Sequence, residues 1–123
     1  MINSNFKYLL TIGSYDGGFD FTKSVNNKIY EIDIKNYGSK ICNYCEIHRY
    51  NLFIDEKQYN NHQADIYVQT FNCFIDKKFY LVIAGYATKD MLQYNTQAKN
   101  ICYSCKVEDL LSFSDLKEKY FKM

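Results

Sequence analysis

Between Lys28 and Tyr37 the apolar Ile29, Tyr30, Ile32 and Ile34 interleave with Glu31, Asp33 and Lys35. Side chains on a strand alternate between two faces, so this pattern predicts a strand with one apolar face and one face carrying three charges. Asn26-Asn27 precede it, and Asn tolerates a positive φ better than most residues. A tight hairpin turn onto a preceding strand over Phe19 to Val25 is therefore expected.

Further strands are expected over Phe6 to Ile12, Asp65 to Phe74 and Lys78 to Tyr86, with turns at 13–18 and at Asp76-Lys77. Tyr50, Phe53 and Ile54 suggest a helix over Tyr50 to Tyr59. Thr88 would cap a short helix through Tyr94, and Ser114 one ending near Phe121, while 38–48 reads as irregular. The result is an α/β (α+β) chain. At 123 residues, with no linker-like run of Pro, Gly or Ser, positions 1–123 are expected to form a single domain. An apolar fraction of 47% suffices for a real core. A net charge of +1 means that any nucleic-acid contact must use a local patch, for which Lys40, Arg49, Lys57 and Lys89 are the nearest candidates. The thirteen tyrosines could stack on bases, but their alternation with polar residues fits packing at core edges better. No apolar run approaches the roughly 20 residues needed to cross a bilayer, and the polar start does not resemble a signal peptide. A cytoplasmic protein without a membrane partner is expected. The abundance of Asn, Lys, Tyr and Ile points to AT-rich coding DNA, as in many bacteria and their phages.

Cys42-Asn43-Tyr44-Cys45 and Cys102-Tyr103-Ser104-Cys105 are two Cys-x-x-Cys pairs, each able to supply half of a tetrahedral zinc site. The 56 residues between them (46 to 101) would make the ion a structural staple between distant parts of the chain. The competing reading places Cys102 and Cys105 on a strand, where i and i+3 face opposite ways. Cys73, in an apolar strand, reads as core. His48 could replace a cysteine as a zinc ligand, yet it and His62 read more simply as surface or loop residues.

Asp20 lies thirteen residues before Asp33, which opens Asp33-Ile34-Lys35. With the Gly85-Tyr86 turn and Asp65 to Gln69, this arrangement resembles small phage-type members of the PD-(D/E)xK nuclease superfamily. The resemblance implies a restriction-endonuclease-like mixed central sheet with flanking helices. It further implies Asp20 and Asp33 as Mg²⁺ ligands, Lys35 as the catalytic lysine, and Glu31 and Gln69 in support. Two carboxylates suit a hard cation that lowers the pKa of a bound water, and a lysine can offset negative charge developing on phosphate. The chain departs from the family in having no proline before Asp20 and no acidic residue upstream of Asp16. The expected activity is metal-dependent hydrolysis of DNA, with a homodimer needed for a double-strand cut. The alternative is a noncatalytic zinc-binding module, possible as a degenerate nuclease fold, that binds nucleic acid or protein. On that view Glu31, Asp33 and Lys35 form a solvated strand face.

Overall fold

The computed structural model describes residues 21–96 and 101–121. The expected strand over Phe6 to Ile12, the turn at 13–18 and Asp20 lie outside these residues. Within them the order is β1 (Phe21–Val25), β2 (Lys28–Cys42), a 3-10 turn (Tyr44–Arg49), β3 (Asn51–Asp55), α1 (Glu56–Asn61), β4 (Ile66–Ile75) and β5 (Lys78–Thr88). A 3-10 turn at Lys89–Met91, β6 (Gln93–Asn95), β7 (Cys102–Lys106), a third 3-10 turn (Val107–Asp109) and α2 (Phe113–Leu116) complete it. α2 runs on as a wider π-type turn over Lys117–Phe121.

The strands form two sheets, one of four strands in the order β1-β2-β4-β5 and one of three in the order β3-β7-β6. The first is mixed: β2 and β4 run parallel, while β1–β2 and β4–β5 are antiparallel. The chain is thus α+β with a mixed sheet and few, short helices. Both hairpin turns behave as their residues require. Asn26 and Asn27 have φ of 51° and 68°, and Asp76 and Lys77 have 49° and 66°. Two successive positive φ values match the right-handed twist of the flanking strands.

β4 is buried on both faces through its first six residues. On one face Tyr67 joins Leu52 and Ile54 of β3, Cys105 of β7, Ala64, Ala87 and Leu92, so the small sheet packs over the larger one. On the other, Ile66 and Val68 join Ile32, Tyr86 and Leu116, closed by α2 and the turn after it. Beyond a register shift between Gln69 and Thr70, Phe71 and Cys73 form a third cluster with Cys42, Val82 and Val107. Burying one Leu, Ile or Phe completely is worth about 1.5–3 kcal/mol, so β4 is the main source of stability among the described strands.

Several elements differ from the sequence reading. The segment from Tyr50 to Tyr59 is not one helix: Leu52 and Ile54 are buried while Phe53 and Asp55 are exposed, the period-2 pattern of β3. A helix begins only at Glu56, capped by the Asp55 carboxylate, which accepts from the Lys57 amide. β2 continues through Cys42, into what reads in sequence as an irregular stretch. Thr88 precedes a single 3-10 turn and makes no side-chain cap. The last helix is capped by Ser112, not Ser114, through a bond from the Asp115 amide. Among the described residues no helix is long and apolar enough to cross a membrane.

Gly85 has φ of +146°, and a Cβ there would lie 2.5 Å from the Leu111 carbonyl oxygen. That carbonyl accepts from the Tyr86 amide at 2.9 Å, so Leu111 cannot withdraw without breaking the bridge that seats α2. Gly85→Ala is expected to destabilise the fold by about 2 kcal/mol or more, read as a lowered urea midpoint.

Candidate acidic site on strand β2

Glu31, Asp33 and Lys35 share one face of β2, as their alternation requires. The face is covered: β2 pairs with β4 in a register that sets Asp33 beside Tyr67 and Lys35 beside Gln69. Asp33 is only 6% exposed. A freely solvated strand face is therefore not what the chain builds.

The cover is α1. Lys35 Nζ lies 3.0 Å from Asp33 Oδ2, and Gln58 of α1 spans the pair. Its Nε2 donates to Asp33 Oδ2 at 3.3 Å, and its Oε1 accepts from Lys35 Nζ at 3.0 Å. One helical turn further on, His62 Nε2 lies 2.6 Å from Glu31 Oε1. Four helical residues advance about 6 Å and two strand residues about 6.6 Å, so positions 58 and 62 can meet 33 and 31 in turn. The stacked rings of Tyr59 and Tyr103, 3.6 Å between centroids, anchor the helix on β7.

Asp65 anchors the same end of the sheet. Its Oδ2 accepts from the Glu31 amide at 2.9 Å, and its own amide donates to the Glu31 carbonyl at 2.9 Å. Lys89, one of the four candidate phosphate contacts, pairs with Asp65 Oδ1 at 3.4 Å. Lys35 thus meets the buried Asp33 carboxylate, while Asp65 and the half-exposed His62 meet Glu31 one strand repeat away and Lys89 pairs with Asp65.

Gln69, which the resemblance places in support, sits beside Lys35 in the strand register. It is buried, and its Nε2 donates to the carbonyls of Thr70 at 2.9 Å and Lys35 at 3.3 Å. Thr70 Oγ1 donates to the same Lys35 carbonyl at 3.1 Å. Gln69 thus holds the Lys35 backbone where the strand register shifts and acts on the site only through that support.

The structure does not bring the two cysteine pairs together. Cys42 lies opposite Cys73 in the third cluster, Cys105 belongs to the cluster under the small sheet, and Cys45 is exposed. Among the described residues no group of three or more His, Cys, Asp and Glu is placed to hold a metal. Burial raises the thiol pKa of Cys102 and Cys105, and nearby Asp55 and Asp109 respectively add to it, so both favour the protonated form of a core residue. Cys73 is fully buried, as its apolar strand suggested. An open polar groove bordered by Asp90, Gln93, Asn95, Ser104, Lys106 and Asp109 lies along β6 and β7, lined by none of the acidic-site residues.

The signals for Gln58 and His62 were present in sequence, but only as polar residues four apart behind Asp55. Their partners became visible only with the crossover in place. No family model matches the chain, nor does any curated protein or solved structure.

Tyr67, beside Asp33 in register, gives this face a pH signature. Burial, partly offset by the bond from the Ala64 amide and reinforced by the Asp33 charge, pushes its phenol up to about 12. A folded-state pKa above the unfolded value of about 10 means the neutral phenol stabilises the fold below pH 10, and that stability is lost as pH rises towards 12. The urea midpoint should fall across this window. Tyr67→Phe should lower the midpoint at neutral pH, through the lost Ala64 bond, and flatten the alkaline fall.

Proposed function

We propose that the chain is a Mg²⁺-dependent DNA nuclease of restriction-endonuclease-like fold, with Asp20, Asp33 and Lys35 at its centre. The observation that carries the reading is the pairing of Asp33 and Lys35 on one face of β2, with Lys35 Nζ 3.0 Å from Asp33 Oδ2, the arrangement the D-x-K pattern calls for. The hard carboxylate oxygens of such a site suit Mg²⁺. The mixed sheet supports the same fold class.

Asp33, with Asp20, would hold the ion, which would supply a water of lowered pKa. Lys35, already 3.0 Å from Asp33, would set its ammonium against the scissile phosphate and offset the charge that develops there. Gln58 keeps the lysine and the aspartate in one geometry. Glu31 continues the acidic face by one strand repeat, and Gln69 steadies the Lys35 backbone. A double-strand cut would require two copies of the chain.

One observation favours a second reading, a binding module that retains the fold without catalysis. Asp33 is 6% exposed beneath Gln58, so a metal or phosphate would have to displace an amide already bonded to it. The zinc staple would belong to this second reading, and it would require Cys42 and Cys105 to leave their separate core clusters.

Plasmid and single-stranded DNA with Mg²⁺ distinguish the two. Asp33→Asn preserves side-chain shape and is expected to reduce cleavage roughly a hundredfold or more while leaving the thermal midpoint of folding nearly unchanged. Undiminished cutting by this variant, or no cutting by the wild type, would remove the nuclease reading.

A further inference from the structure

We infer that His62 is the proton donor to the leaving oxygen when a phosphodiester is hydrolysed at this site, a proposal that rests on the nuclease reading. Its carrier is a side-chain arrangement that the D-x-K pattern does not contain. His62 Nε2 lies 2.6 Å from Glu31 Oε1, and Glu31 sits one strand repeat from Asp33 on the same face. The imidazole side chain is 42% exposed, against 8% for Asp33, so it stands at the rim where a phosphodiester could reach it.

The cluster divides the chemistry between two groups of unlike type. Lys35 is tied to Asp33 and to Gln58, which commits its ammonium to holding charge. His62 supplies the imidazole of the cluster, the side-chain type that most often serves as general acid or base in catalysis. Glu31 orients the ring through one nitrogen, as a carboxylate orients a catalytic imidazole in general acid–base pairs. The backbone fixes the ring's origin: the His62 amide donates to the Gln58 carbonyl at 3.0 Å and closes α1, so Gln58 and His62 are positioned by the same helical turn.

In the step itself, a water oxygen forms a bond to phosphorus and its proton passes to bulk water. The bond from phosphorus to the sugar oxygen breaks, and its electron pair stays on that oxygen. The oxygen takes the proton of the His62 imidazolium, which is then restored from solvent. No redox change or further co-reactant is needed.

A general acid matters in proportion to how poor the leaving group is. The test therefore compares DNA with the p-nitrophenyl ester of thymidine 5′-phosphate, whose leaving phenolate needs no proton. His62→Gln is expected to slow DNA cleavage roughly a hundredfold while changing p-nitrophenol release less than about threefold. Its affinity for a non-hydrolysable phosphorothioate oligonucleotide should match that of the wild type. Glu31→Gln, which leaves the imidazole but removes its orienting carboxylate, should give a smaller loss with the same dependence on leaving group, and it carries the test if His62→Gln does not fold. Equal slowing on both substrates in the folded variants would assign His62 a structural role and overturn the proposal, as would wild-type cutting of DNA by His62→Gln. Both results leave the nuclease reading standing if Asp33→Asn is inactive, whereas a wild type that cuts neither substrate removes both.

Discussion

The parallel pairing of β2 with β4 is the constraint on which the rest of the described fold depends. Two parallel neighbours cannot be joined by a tight turn, so the chain must leave the sheet after Cys42 and return at Ile66. The connection contains β3 and α1, and these have no choice but to lie over the sheet. β3 recruits β7 and β6 to make the second sheet, and α1 comes down on β2. A hairpin in place of this crossover would leave Glu31, Asp33 and Lys35 facing water, with neither Gln58 nor His62 above them.

Covering charged groups has a cost that the network must offset. A carboxylate at 6% exposure is tolerable only when paired and hydrogen-bonded, and Asp33 Oδ2 meets both the Lys35 ammonium and the Gln58 amide. Such a pair contributes little net stability, since desolvation roughly offsets attraction. The large terms lie elsewhere, in β4 and the two apolar clusters on its faces. The apolar core and the polar network are thus carried by neighbouring strands, and a polar change on β2 need not unfold the sheet.

The hairpins were legible in sequence because their signals are local: Asn26-Asn27 and Asp76-Lys77 adopt the positive φ values that two-residue turns demand. The alternation of β2 was legible for the same reason. β3 was not, because Tyr50, Phe53 and Ile54 fit a helical spacing while Leu52 and Ile54 fit a strand, and pairing with β7 over Leu52↔Cys105 and Ile54↔Tyr103 decides between them. At the site, the Asp33–Lys35 pair follows from strand geometry, whereas the contacts from Gln58 and His62 arise 25 and 31 residues away and leave no periodic trace. The cysteine spacing suggested a shared ion, but strand pairing placed Cys42 and Cys105 in different clusters.

The two faces of the large sheet differ in kind, and that difference limits where chemistry could occur among the described residues. On the α2 side Tyr86 is fully buried and its hydroxyl donates to Asp115, whose carboxyl is held below its usual range by that bond first and by Lys119 as well. Tyr120 closes over Tyr30 and Tyr86 with edge-on rings at 5.0 and 6.0 Å. Leu116 and Ile32 fill what lies between, so this face is sealed by apolar contacts and aromatic edges. The α1 side is sealed over Tyr67 and Leu52 but changes to a polar margin along β2. A reacting phosphodiester needs charge, proton transfer and access together. On the nuclease proposal Asp33, Lys35 and His62 would supply them on that margin, where α1, a six-residue helix held by the Tyr59–Tyr103 stack, is the cover among the described residues.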